Sequence, residues 1–316
     1  MYNPEKPFSK RILKIICKTW KDQVSIEAGY PVIKNEQGYF LEHVDGTGTK
    51  GLLHWKNQSF DSAAIDAFAM NANDLAILGF TPKTLNCHLI MQEEREDVIL
   101  CVINKLSELC LKYDIIFTGG ETAVLNTIEG MEIGVHMNGF TEEIINHPLK
   151  AGDLIYAHLS NGIHSNGLTL ARKLMKNSLD ENLIKELIKP TKIYLDDLNK
   201  TKHYAKKRMH ITGGAFTKLK KIISKNQDIV IDLRSIDIPL IFKTLYRKIT
   251  ELTEEPSYEM LRTFNCGVGF VEIITPNDKE AFESILNKSV LIGEIIGNGE
   301  GKIKIISPFD DSFIVY

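Results

Sequence analysis

No apolar run in this chain of 316 residues approaches the roughly 20 needed to cross a bilayer. The longest buried-looking stretches, such as 267–274, have only strand length. The opening residues 1–10 are polar and lack the apolar core of a secretory signal. Cysteine is scarce: Cys17, Cys87, Cys101, Cys110 and Cys266 form no CxxC pair, and their number is odd. That argues against a disulfide framework or a structural zinc site and for reduced thiols packed as small hydrophobes. A cytoplasmic location is the expectation that follows. Positive charge is not in excess either. With 38 Lys and Arg against 41 Asp and Glu, the net charge of −3 lacks the footprint of a general nucleic-acid binder. A small anionic substrate needs only a local positive site, so it stays open. No short repeat or low-complexity tract is present, and the GxxxxGK[ST] spacing of a Walker loop is absent.

What is present reads as two mixed domains, 1–145 and 146–316, because the chain is too long for one ordinary core. Ile12, Leu13, Ile15 and Ile16 suggest a helix packed on the edge of the first domain. A short strand is expected at 40–44. The apolar residues Ile65, Phe68, Ala69, Ala72 and Leu75 fit a 3.6 period, which predicts a helix over 62–78, capped by Asp61 or Ser62 and stopped by Gly79 and Pro82. Alternation predicts strands at 85–91, 114–118 and 131–140, with a helix at 97–111. His147, Pro148 and Gly152 interrupt the pattern between the domains. Strands are then expected at 153–159, 228–233, 267–274, 290–296 and 302–306, and helices from 168, over 192–207 and at 282–286. Both halves mix strands with helices, so the expected class is α/β and α+β.

Six segments carry residues suited to chemistry. Asp45-Gly46-Thr47-Gly48-Thr49-Lys50 combines glycines, hydroxyls and a cation that suit phosphate, or it is an ordinary polar turn. Asp66, Met70, Asn73 and Asp74 share one stripe of the 62–78 helix. Those carboxylates either face water or meet a hard cation such as magnesium. Gly119-Gly120-Glu121-Thr122 ends a strand, where Glu121 could hold a metal or a ribose hydroxyl, or cap the next element. His164-Ser165-Asn166-Gly167 precedes a helix, with His164 either a proton-transfer group or structural. Thr212-Gly213-Gly214 is a second turn suited to an anion, and the glycines of 264–269 permit close strand packing.

Taken in order, these segments resemble a known family. DGTGTK at 45–50 is similar to the DGVGTK loop of the phosphoribosylformylglycinamidine cyclo-ligases, or AIR synthetases. Asn73-Asp74-Leu75 resembles their VNDL helix, 119–123 reads GGETA, 164–167 reads HSNG, and 190–194 resembles PTRIY. Thr212-Gly213-Gly214 resembles their TGGG turn, and 262–269 reads RTFNCGVG. The likeness runs from about 41 to 296.

The resemblance implies a two-domain fold: an N-terminal ATP-binding domain that forms the interface of a homodimer, and a C-terminal α+β domain. It implies ATP-dependent ring closure of formylglycinamidine ribonucleotide to aminoimidazole ribonucleotide, using magnesium, with no nucleic-acid or membrane partner. Under it, Asp45, Lys50, Asp74 and His164 are catalytic, and Asp45, Asp74 and Glu121 hold the metal. The nucleotide meets Asp45 to Lys50, Asp66, Asn73, Asp74, Gly120, Glu121 and Thr122. The substrate meets His164, Ser165, Asn166, Gly167, Thr191, Gly213 and Gly214.

One departure stands out: the family carries a glycine-rich segment ahead of its DGVGTK loop, whereas 30–40 here holds only Gly38. A non-catalytic nucleotide- or partner-binding relative is the alternative this raises. Other members of the superfamily fit less well. Cys17 lacks the glycine-rich setting of a selenophosphate synthetase loop, the chain ends Phe313-Ile314-Val315-Tyr316 without the terminal cysteine of the hydrogenase maturation enzymes, and thiamine-monophosphate kinases lack the RTFNCGVG wording.

Overall fold

The computed structural model describes residues 9–175 and 181–316. The first half builds six strands: β1 (Val24–Glu27), β2 (Tyr30–Asn35), β3 (Gly38–Gly46), β4 (Thr81–Met91), β5 (Ile116–Val124) and β6 (Met131–Thr141). They lie in the order β1-β2-β3-β6-β4-β5. Every neighbour is antiparallel except β4 and β5, which are parallel and need the crossover that α4 (Glu96–Lys112) supplies. The remaining helices of this half are α1 (Ser9–Ile16), α2 (Lys50–Asn57) and α3 (Phe60–Ile77).

Alternation gives the sheet two unlike faces. Leu85, Cys87, Leu89, Met91, Ile133, Val135 and Met137 are buried under α3 and α4. Glu42, Val44, Asn86 and His88 point the other way and are exposed.

The second half builds β7 (Leu154–Leu159), β8 (Ala205–His210), β9 (Gln227–Asp232), β10 (Val268–Ile274), β11 (Ser289–Gly297), β12 (Ile303–Ile306) and β13 (Phe313–Val315). Their order is β13-β12-β9-β11-β7-β10-β8, antiparallel except for β12 beside β9. Helices α5 (Leu168–Met175), α6 (Glu181–Ile188), α7 (Leu195–Lys200), α8 (Leu240–Thr250), α9 (Pro256–Thr263) and α10 (Lys279–Ile285) complete it.

Several expectations change. The helix at the start forms, but Ile12, Leu13, Ile15 and Ile16 stay exposed and do not pack on the first domain. Residues 24–35 form a β-hairpin that the sequence pattern did not signal. The 119–122 segment lies inside β5 and does not follow it, because pairing with β4 continues to Val124. The helix expected over 192–207 shrinks to α7, since 205–210 pairs with β10 as a strand. Neither Asp61 nor Ser62 caps α3. Ser59 occupies that position, and its hydroxyl pairs with His54.

The decisive element is α3. Its small residues Ala63, Ala64, Ala67 and Ala72 are buried, and so are Asp66, Asn71, Asn73 and Asp74. A helix buried all round belongs to a core. Here the polar stripe does not face water: Asp66, Asn73 and Asp74 each hydrogen-bond residues of the second domain.

Candidate active site

The seam begins at Asp66. Its Oδ1 accepts from Lys50 Nζ at 3.0 Å, the Thr191 amide at 2.7 Å and Thr191 Oγ1 at 2.6 Å. Its Oδ2 accepts from His54 Nε2 at 2.8 Å. Burial alone would raise this carboxyl, but Lys50 and His54 outweigh it and hold the group at about 2. Lys50 is 0% exposed, and its ammonium also donates to the Lys189 carbonyl. Lys50, Asp66 and Thr191, all expected on ligands, therefore join the domains. Their polar atoms are spent on one another.

About two turns further along α3, Asn73 donates to the Lys192 carbonyl at 2.9 Å and accepts from the Tyr194 amide at 3.0 Å. It too hydrogen-bonds the second domain. At the end of α3, the Ala76 carbonyl accepts from Arg208, itself buried against Glu272.

Asp74 sits beside this seam and is only 6% exposed. Its Oδ1 accepts from His210 Nδ1 at 2.7 Å, and its Oδ2 accepts from Tyr30 Oη at 2.7 Å. His43 Nε2 lies 3.4 Å from Oδ2 while His43 Nδ1 faces the Asn71 carbonyl oxygen at 2.8 Å. Both ring nitrogens of His43 face acceptors, so the imidazolium form fits best. Burial opposes that charge, yet Asp74 outweighs it and raises His43. Burial would likewise raise Asp74, but Lys218, His210 and His43 hold it well below the usual carboxylate range. With Nδ1–H given to Asp74, His210 Nε2 is left as the acceptor facing Asn73 Nδ2 at 3.3 Å.

Asp45 is exposed at the mouth of this cluster, within electrostatic reach of Asp74, His43 and His210. The loop behind it is already satisfied. The Gly46 amide donates to Asp45 Oδ1, the Thr47 amide to the Ile133 carbonyl and the Gly48 amide to Glu132 Oε1. The expected amide cradle at 46–48 is thus closed by the protein's own acceptors, Glu132 among them. Thr49 reaches across to Thr169 on α5, with 3.4 Å between hydroxyls.

His164 lies deeper. It has 0% exposure and φ +57°, and its Nε2 donates to Asn161 Oδ1 at 2.8 Å. Burial, then His210 and Lys50, holds it neutral. His210 shares that enclosure, and burial lowers it as well. His164 Nδ1 and Asn166 Oδ1 are the buried polar side-chain atoms without a partner among the described residues. Ser165 pairs with Thr191, and Asn166 donates to the Ile211 carbonyl. Gly167 is packed under Phe264, whereas Gly213 is exposed.

Glu121 does not join Asp45 and Asp74. It pairs in register with His88, on the sheet face turned away from α3, and its Oε1 takes the Thr122 amide. Gly120 serves the strand: a Cβ there would lie 1.8 Å from the Cys87 carbonyl. The three-carboxylate metal set is therefore not assembled within one chain, and the described residues contain no group of three or more His, Cys, Asp or Glu poised for a metal.

Comparison with known proteins accounts for this arrangement. Residues 28–141 match the AIR synthase related protein N-terminal domain, and residues 150–306 match the C-terminal domain of the same family. The phosphoribosylformylglycinamidine cyclo-ligase of Sulfurisphaera tokodaii is 34% identical over 276 residues, covering 85% of this chain and 83% of that protein. The chain belongs to the phosphoribosylformylglycinamidine cyclo-ligase family.

The Pyrococcus horikoshii cyclo-ligase is 36% identical over 283 residues, with 84% and 82% covered. Among solved structures, thiamine monophosphate kinase from Aquifex aeolicus superposes with a TM-score of 0.65 at 17% identity over 99% of both chains. The hydrogenase maturation protein HypE gives 0.63 at 16% identity, with 97% and 96% covered. At that identity the likeness concerns the fold alone.

Within this cyclo-ligase fold, the residues that sequence reasoning missed are Tyr30, His43, Glu132, His210 and Lys218. Strand alternation could have found His43, two residues before Asp45 and therefore on its face. His210 directly precedes the 211–214 turn, at the buried end of β8. Tyr30, Glu132 and Lys218 reach the site only through tertiary packing.

Proposed function

We propose that this chain catalyses the ATP-dependent ring closure of formylglycinamidine ribonucleotide to aminoimidazole ribonucleotide, releasing ADP and phosphate, in purine biosynthesis. The observation that carries this reading is the 2.7 Å pairing of Asp74 of the first domain with His210 of the second. Its weight comes from relatives that bear the cyclo-ligase name along most of their length.

The chemistry suits such a cluster. An amide oxygen leaves poorly until it is phosphorylated, and phosphoryl transfer needs positioning and charge neutralisation above all. Asp45 fits magnesium, because such ions keep most of their waters and bind through one or two carboxylates plus substrate phosphates. Asp74 stands next to it, although both its oxygens already accept hydrogen bonds. Glu121 of the same chain does not fit. The ion would neutralise charge on the triphosphate. Asp74 fixes the His210 tautomer, with Nδ1–H given to the carboxylate and Nε2 facing Asn73.

With the reading go two further expectations: a cytoplasmic setting, in which the five free thiols persist, and a homodimer formed through the uncovered face of the first sheet. The edge strand β5 exposes Ile116 there. The test is ADP release on adding the ribonucleotide to protein, ATP and Mg2+. Tight ligand binding with no ADP at any magnesium concentration would replace this reading with a non-catalytic one.

A further inference from the structure

We propose that Glu132 is a positioning residue for the ring-closing reaction: its carboxylate sets the course of the 46–49 loop, and with it the placement of Asp45 and Thr49 against the bound triphosphate. The inference rests on the reaction proposed above.

Glu132 stands one residue inside β6, half-buried between the buried Met131 and Ile133. Alternation turns it to the sheet face opposite α3 and α4. From there its two oxygens hold separate points of the loop. Oε1 accepts from the Gly48 amide at 3.0 Å, and Oε2 accepts from Thr47 Oγ1 at 3.2 Å. The same threonine oxygen accepts from the Ile133 amide at 3.1 Å, while the Thr47 amide donates to the Ile133 carbonyl at 3.1 Å. Carboxylate, hydroxyl and strand thus close one network, and its ionised acceptor makes the hydrogen bonds strong.

The glycines of the loop permit this approach. A Cβ at Gly46 would lie 2.3 Å from Glu132 Oε1 and 2.6 Å from the Ile133 carbonyl, and one at Gly51 would lie 2.0 Å from the Met131 carbonyl. Between them Gly48 takes φ +53°, with its amide held by the carboxylate.

The course of this loop matters because of what it carries. Lys50 is turned inward to Asp66, so the loop presents to the cleft Asp45 at one end and the exposed Gly48 and Thr49 at its tip. Thr49 Oγ1 lies 3.4 Å from Thr169 Oγ1 of the second domain, which places the tip at the cleft mouth. Pairing of β3 with β6 stops at Gly46. Past that point the Thr47–Ile133 contacts and Glu132 hold the tip down. Displacing such groups by about 1 Å costs on the order of 100-fold in rate.

Three variants separate reach from charge. Glu132→Gln keeps an acceptor for the Gly48 amide and offers its NH2 to Thr47 Oγ1, so it keeps the reach and loses the charge. Glu132→Asp keeps the charge and loses the reach, and Glu132→Ala loses both. ADP release is measured with ATP and the ribonucleotide varied separately, calorimetry reads ATP with Mg2+, and hydrogen exchange reads the 45–51 backbone. Glu132→Ala and Glu132→Asp are expected to raise KM for ATP about tenfold, leave KM for the ribonucleotide unchanged and speed exchange across 45–51. Glu132→Gln should restore all three. Should Glu132→Ala not fold, the other two variants decide. A glutamine variant as impaired as the aspartate one would overturn the proposal, because charge and not position would then matter. So would tighter ATP binding by Glu132→Ala or Glu132→Asp, which would make the carboxylate a block on the loop. A lower urea midpoint with ATP kinetics and affinity unchanged would reduce Glu132 to a structural contact and overturn it as well. If the unaltered chain releases no ADP, the reaction reading fails on its own, and calorimetry with hydrogen exchange still decides the role of Glu132.

Discussion

Asp66→Asn separates a nucleotide-binding carboxylate from a structural one. In the folded chain the Asp66 oxygens take Lys50, His54, and both the amide and hydroxyl of Thr191. Asparagine keeps one acceptor and turns an NH2 toward groups that are themselves donors. Lys50, with no exposure, is then a buried charge without its counter-ion. Breaking a buried pair in this way costs roughly 3–5 kcal/mol, a large share of the ~5–15 kcal/mol that holds a domain folded. Urea unfolding followed by fluorescence should show the midpoint falling by about 1 M or more. Adding Lys50→Met should recover part of the loss, because the stranded charge goes with it. Acid adds an independent reading. Folded Asp66 titrates at about 2, against about 3.9 unfolded. Its folded value is depressed, so its contribution is complete above pH ~4 and fades as pH falls toward 2, a loss of about 2 kcal/mol. Asp66→Asn should flatten that part of the stability profile. An unchanged urea midpoint together with lost ATP affinity would refute the seam and restore the nucleotide role.

Asp74→Asn should lower turnover at least ~100-fold and also cost roughly 1.5–3 kcal/mol of stability, since three donors converge on that carboxylate; ADP release and urea unfolding measure the two effects. Gly269→Ala places a Cβ 1.8 Å from Tyr194 Oη and 2.9 Å from His164 Cε1, so thermal unfolding should show a clear loss, on the order of 1–3 kcal/mol. Sedimentation at micromolar concentration should give a dimer, and Gly120→Ala should weaken it by forcing β5 off the Cys87 carbonyl; a monomer for the unaltered chain would refute the interface.

The sequence by itself determined the elements whose periodicity is strong. α3, α4, β4 and β6 all lie where apolar spacing puts them, because such spacing has only one way to bury its face. The ordered motifs also carried the family, since each is short-range wording. What only the tertiary structure decided is where each polar side chain points its hydrogen bonds. Asp66 and Asp74 are two turns apart on one helix, yet one meets a lysine of its own domain and a threonine of the other, while the second meets two histidines and a tyrosine. Glu121 reads like a metal ligand until strand register turns it to the opposite face from Asp45. Periodicity fixes which residues share a face, but the partners of a buried charge come both from nearby segments and from segments over a hundred positions away, such as Thr191 for Asp66 and His210 for Asp74. Their approach is a property of the packed domains, not of any local run of residues.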